Sequence, residues 1–189
     1  MQASWNCYSR LARTSDRNSP LHEAAFRDEP EILDKVLRKI HEQPRDKQQA
    51  ASLFGNTPLH NAARTGSPRC VAMLLEAGAK ATVTNANGSL PLHHACYCER
   101  PNLEVTKLLV AAGSDVNHTD EQGYTPLMIA AKKNQTDVIE FLRAHGADVS
   151  TKNAFGEDAL HFATLRDNKG AMELLLSFGA ETEPEASGQ

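Results

Sequence analysis

Apolar positions in this chain fall into short blocks with helical spacing. Five blocks open on a leucine followed three and four residues later by small side chains: Leu21 with Ala24 and Ala25, Leu59 with Ala62 and Ala63, Leu92 with Ala95 and Cys96, Leu127 with Ala130 and Ala131, and Leu160 with Ala163 and Thr164. Positions three and four apart share one face of a helix. A second apolar run follows each block after a polar break. Ile32, Leu33, Val36, Leu37 and Ile40 form one, Val71, Leu74 and Leu75 another, and Leu174, Leu175 and Leu176 with Phe178 a third. The spacing predicts helices near Pro20–Arg27, Pro30–Glu42 and Pro68–Ala77, with like pairs in the later copies.

The polar residues between the blocks repeat as well. Asn56-Thr57-Pro58-Leu59-His60-Asn61-Ala62-Ala63 returns as variants at Ser19–Ala25, Leu90–Cys96, Thr125–Ala131 and Asp158–Thr164. Ser19, Thr57, Thr125 and Asp158 stand where a side-chain oxygen can cap a helix start. Pro20, Pro58, Pro91 and Pro126 suit the first helical position, where a missing N–H costs nothing. Gly78, Gly113, Gly146 and Gly179 stand where the second helices should stop. Gly55, Gly88, Gly123 and Gly156 precede four copies at intervals of 33, 35 and 33 residues. A fixed period of this size marks an array whose units bury their apolar faces only by stacking.

A 33-residue unit carrying Thr-Pro-Leu-His-x-Ala resembles the ankyrin-repeat family. The resemblance runs from about Asn18 to Glu183. It implies an all-α solenoid of five stacked helix-turn-helix units joined by short β-turn or hairpin loops. Residues 19–183 are expected to form the repeat domain, divided as 19–54, 55–87, 88–122, 123–155 and 156–183. Residues 1–18, with Trp5, Tyr8 and Leu11 three apart, read either as a cap on the first repeat or as an arm reaching a partner. Gln43–Ser52 reads as a polar loop, and 184–189 as a disordered acidic tail. Some copies depart from the pattern. Leu90 stands at a cap position, Met128 replaces the histidine, Ala159 replaces the proline, and extra residues lie around Cys98–Pro101.

Composition narrows the function. The net charge of −4 over 189 residues argues against general binding to nucleic acid or anionic lipid. No apolar run approaches the ~18 residues of a membrane helix, and no signal pattern opens the chain. Cys7, Cys70, Cys96 and Cys98 form no small-domain disulfide framework. A cytoplasmic location is expected, with the nucleus as the other reducing compartment.

Candidate chemistry is sparse. His22, His60, His93 and His161 recur at the repeat period, so they form a row rather than a cluster. In the resembled family this histidine has a structural bonding role. A metal-dependent or enzymatic site around His93–Cys98, with His94, Cys96 and Cys98, is the weaker alternative. Structural zinc takes four ligands, and no second pair lies near. No catalytic residue, cofactor or metal is expected.

The resemblance also implies a non-catalytic protein–protein interaction module, an adaptor, scaffold or inhibitor, gripping a protein partner on its concave face and turn tips. A kinase-inhibitor-like or transcription-regulator-like protein is a sharper form of the same reading. Candidate tip residues are Leu53, Phe54 and Asn56, then Asn87 and Ser89, Gln122 and Tyr124, and Phe155 and Glu157. On the inner helices the open slots are Asn61, Arg64, His94, Tyr97, Ile129, Lys132, Phe162 and Leu165. Phe54, Tyr97, Tyr124, Phe155 and Phe162 make up half of the ten aromatic residues. They read either as interface anchors or as packing against the adjoining repeat. A monomer is expected, with weak self-association through Phe162, Leu165 and Phe178 at the C-terminal end as an option. Leu109–Asn117 resembles the ankyrin segment modified by an oxygen-dependent asparaginyl hydroxylase. Asn117 would be the target, or else only a favourable turn residue.

Overall fold

The computed structural model describes residues 20–40, 55–98 and 102–180. Residues 1–18, Leu53, Phe54, the loop Gln43–Ser52 and the tail 184–189 lie outside the described residues. Ten helices occur among the described residues, in five pairs: α1 (Pro20–Phe26) with α2 (Pro30–Ile40), α3 (Pro58–Thr65) with α4 (Pro68–Glu76), α5 (Pro91–Tyr97) with α6 (Leu103–Ala111), α7 (Pro126–Lys132) with α8 (Thr136–Ala144), and α9 (Ala159–Leu165) with α10 (Lys169–Ser177). No strand occurs among those residues. The odd-numbered helices stack on one another as an inner layer, and the even-numbered helices as an outer one. This is the expected all-α repeat solenoid.

The leading leucine of each inner helix explains the stacking. Leu21, Leu59, Leu92, Leu127 and Leu160 are all buried, as are Leu33, Leu74, Leu109, Leu142 and Leu175 of the outer helices. Burying one leucine contributes about 2 kcal/mol. A single pair has nothing to cover that face, so each repeat borrows its core from the next. The alanine pairs Ala24–Ala25, Ala62–Ala63 and Ala130–Ala131 are buried between adjacent helices, where larger side chains would force the layers apart.

Helix starts are capped in two ways. The Thr125 hydroxyl accepts from the Met128 amide at 3.3 Å, and the Asp158 carboxylate accepts from the His161 amide at 2.8 Å. In α3 and α5 the histidine ring turns back instead. Nδ1 of His60 accepts from the Thr57 amide, and Nδ1 of His93 from the Leu90 amide, each at 3.1 Å. Leu90, which has no capping oxygen, is 3% exposed, so packing offsets the missing cap. The outer helices end on left-handed glycines, Gly78, Gly113, Gly146 and Gly179, with φ from 87° to 91°.

The turn tips stack too. Asn85, Asp120 and Asn153 occupy equivalent places, and each side-chain oxygen accepts two amides of its own tip at 2.9–3.0 Å. Successive tips bond through Glu121 N–H to the Asn87 carbonyl and Ala154 N–H to the Gln122 carbonyl, both at 3.0 Å. Gly123 makes that approach possible. Its φ is +81°, and a Cβ there would lie 2.8 Å from the Ala154 nitrogen.

Candidate protein-binding face

Three of the motif histidines are staples between repeats. The ring of His60 accepts at Nδ1, so its proton sits on Nε2, which donates to the Ser89 carbonyl of the next repeat at 3.0 Å. His93 donates likewise to the Tyr124 carbonyl at 3.1 Å, and His22 to the Asn56 carbonyl at 2.9 Å. Burial holds the pKa of His60 and of His93 down to about 4, against the opposing pull of those carbonyls. Both rings are therefore neutral at pH 7, as the staple requires. His161 has no following repeat among the described residues; it is exposed, and its Nε2 lies 3.5 Å from a Glu157 carboxylate oxygen.

A second set of staples runs in the opposite direction and was not read from the sequence. Asn102 Nδ2 donates to the Gly66 carbonyl at 3.2 Å, Gln135 Nε2 to the Cys96 carbonyl at 2.9 Å, and Asn168 Nδ2 to the Ala131 carbonyl at 2.8 Å. Each amide begins an outer helix and reaches the frayed carbonyls that end the previous inner helix. The signal was a side-chain amide at the same place in three repeats.

The residues around His93–Cys98 do not converge. His93 uses both ring nitrogens for the bonds above. Cys96 is wholly buried among apolar side chains, and that burial pushes its thiol up to about 12. His94 accepts at Nε2 from Asn85 at 3.2 Å and packs edge-on to His60; burial lowers its pKa to about 3. No group of three or more histidine, cysteine or acidic side chains could hold a metal ion among the described residues.

The open slots on the inner helices separate into two rows. The first holds Asn61, His94, Ile129 and Phe162. Ile129 and Phe162 are 1% and 3% exposed, and Asn61 is buried with its amide toward the His22 carbonyl. Asn61 and Ile129, expected as open slots, are therefore corrected to positions inside the stack, and Phe162 takes the second of its two readings, packing against the adjoining repeat. Small alanines draw the inner helices together, and this position falls into the seam between neighbours. Phe162 packs on the Tyr124 ring at 5.4 Å between centroids, so it is unavailable at the C-terminal end. Leu165 and Leu176 are exposed there, and Phe178 is half-buried.

The second row lies nearer the helix ends and stays open. Tyr97 and Leu165 are 43% and 65% exposed, while Arg64 and Lys132 are partly exposed. The Lys132 ammonium sits over the Phe162 ring at 5.5 Å and the Tyr124 ring at 5.9 Å. Phe26 occupies the same slot in α1 and is exposed. Its register was legible in the chain, since it follows Leu21–Ala25 in the motif.

At the tips, Phe155, Asn87 and Gln122 are exposed, and Ser89 is buried. Tyr124 is half-buried, and Asn56 accepts from Asn85 Nδ2 at 2.8 Å. Asn117 is exposed, yet its amide is engaged at both ends: Nδ2 donates to the Gly146 carbonyl at 2.8 Å, and Oδ1 accepts from the Asp148 amide at 2.9 Å. No helix among the described residues is long and apolar enough to cross a membrane.

Comparison with known proteins agrees with this architecture. The family model for ankyrin repeats (3 copies) matches residues 21–120 and 92–186. The chain is 33% identical over 137 residues to transient receptor potential cation channel subfamily A member 1 of Homo sapiens, an alignment covering 69% of this chain and 11% of the channel subunit. It is 40% identical over 85 residues to ankyrin repeat and SOCS box protein 16 of Homo sapiens, covering 44% of this chain and 18% of that protein. It is 42% identical over 86 residues to protein PhlB of Serratia liquefaciens, covering 45% of this chain and 37% of PhlB. The chain thus spans a minor part of each of these relatives.

Proposed function

Because this chain belongs to the ankyrin-repeat family, whose repeats make a protein–protein interaction module, we propose that it works as a non-catalytic adaptor, scaffold or inhibitor. It grips a protein partner on the concave face formed by the inner helices and on the turn tips. One observation carries this reading. The motif residues are consumed in stacking, yet the slot held by Phe26, Tyr97 and Leu165 keeps large apolar side chains exposed. Such residues fit the role of anchors at the centre of an interface. Arg64, Lys132, Asn87, Gln122 and Phe155 would contribute around them, and His94 from its partly covered position. The molecule acts as a monomer in a reducing compartment, the cytosol or nucleus, which suits the buried thiols of Cys70 and Cys96. The test is Tyr97→Ala with Leu165→Ala. Partner capture should fall at least about tenfold with the melting temperature nearly unchanged. Equal loss of binding and stability would show that these side chains serve the core.

Asn117 is proposed as a hydroxylation substrate on its resemblance to the modified ankyrin segment. Its exposure supports access, while its two bonds to the next loop mean that a modifying enzyme must first release the amide. Incubation with the hydroxylase, iron and 2-oxoglutarate should add one oxygen to the peptide containing Asn117. An unchanged mass after heating enough to loosen the loop would end the proposal.

A further inference from the structure

The open row on the inner helices alternates in chemistry. Phe26, Tyr97 and Leu165 are apolar in the first, third and fifth repeats, and Arg64 and Lys132 are basic in the second and fourth. The next position in each repeat is Arg27, Thr65, Cys98, Lys133 and Arg166. These ten positions carry five cations and no carboxylate, in a chain whose net charge is −4. Among the described residues, the acids next to the row in sequence have bonds or turn positions of their own. Glu23 closes on Arg27 at 2.7 Å, Glu157 accepts from Asn153, and Asp28 and Asp167 sit in the turns after α1 and α9. The rings under Lys132 hold its ammonium without neutralising it.

The spacing selects a backbone. Packed helices lie about 8–10 Å apart. A polyproline-II segment rises about 3.1 Å per residue with three residues per turn, so every third side chain returns to one face after about 9 Å. A β-strand places residues three apart on opposite faces, and an α-helix needs about six residues for the same distance. Polyproline II also has no internal hydrogen bonds to satisfy and asks for no sheet edge, which a surface of helix side chains lacks.

We propose that this row binds an extended, acidic segment of a partner protein in the polyproline-II conformation. Its apolar and carboxylate side chains alternate at every third residue, over about 13 residues. This rests on the concave-face reading above and names the partner's chemistry. A nucleic-acid strand fits less well. It carries a phosphate at every nucleotide, whereas Arg64 and Lys132 are two repeats apart with Tyr97 between them.

The experiment uses fluorescence anisotropy with a labelled peptide bearing leucine and glutamate alternately at every third position, proline and serine elsewhere. A second peptide carries lysine for glutamate, and a third has the period lengthened to four. The wild-type protein should bind the glutamate peptide at least about tenfold more tightly than either alternative. Arg64→Glu with Lys132→Glu should reverse the preference. Arg64→Gln with Lys132→Gln should abolish it, which keeps the test decisive if the reversed variant folds poorly. Equal binding of the glutamate and lysine peptides, binding of neither, or displacement by a single-stranded oligonucleotide would overturn the proposal. A random peptide display panel run alongside separates the two levels of the argument. Clones that depend on Tyr97 and Leu165 but carry no acidic period sink this inference alone. If no clone depends on those residues, the wider reading falls with it.

Discussion

Acidification should loosen the stack well before its carboxylates titrate, because His60 and His93 are held neutral by burial. They are 0% and 1% exposed, with pKa values lowered to about 4. In the unfolded chain each returns to about 6.5. Between those values the unfolded state binds protons that the folded state refuses, so stability falls as pH falls. From pH 7 to pH 5 the loss is about 2 kcal/mol per ring, or about 4 kcal/mol for the pair. That is a large share of the ~5–15 kcal/mol that holds a typical domain. His94 acts in the same direction. Asp148, held below its ordinary value by bonds from Ser150, contributes stability that is lost only at lower pH, outside this window. Urea unfolding followed by circular dichroism at pH 7 and pH 5 measures the difference. His60→Gln and His93→Gln should each remove about half of the pair's share, leaving the part due to His94, whatever they cost at pH 7. A wild-type difference below about 1 kcal/mol, or one undiminished in the double variant, would refute the account of the histidines as neutral staples.

Two further comparisons probe the stack. Gly123→Ala should cost more than Gly156→Ala, by about 1–2 kcal/mol in thermal or urea unfolding. Both glycines have φ of +81°, but only Gly123 faces neighbouring backbone, whereas a Cβ at Gly156 meets nothing; equal losses would mean that the tips do not pack as described. Tyr124→Ala should lower the melting point through its lost contact with Phe162, while Phe155→Ala, at 71% exposure, should leave it nearly unchanged. A stable Tyr124 variant would show that its ring lies outside the packed seam.

Local chemistry was legible in the chain itself. The repeat period, the proline-led inner helices, the glycines ending the outer ones and the family all follow from patterns a few residues long, because helix starts, helix stops and apolar faces are set by near neighbours. The roles of particular slots were decided only in three dimensions. Ile129 and Phe162 occupy motif positions that look as open as Tyr97 and Leu165, yet the first two lie in the seam between inner helices and the latter two beyond it. Leu90 reads as a failed cap until its place in the core is seen. Gln135 and Asn168 stand in no part of the repeated motif, and only the fold brings their amides to the carbonyls of the preceding repeat's inner helix. Each of these outcomes depends on how closely two repeats approach. That distance is set by side chains more than thirty positions apart, so no local pattern in the sequence could express it.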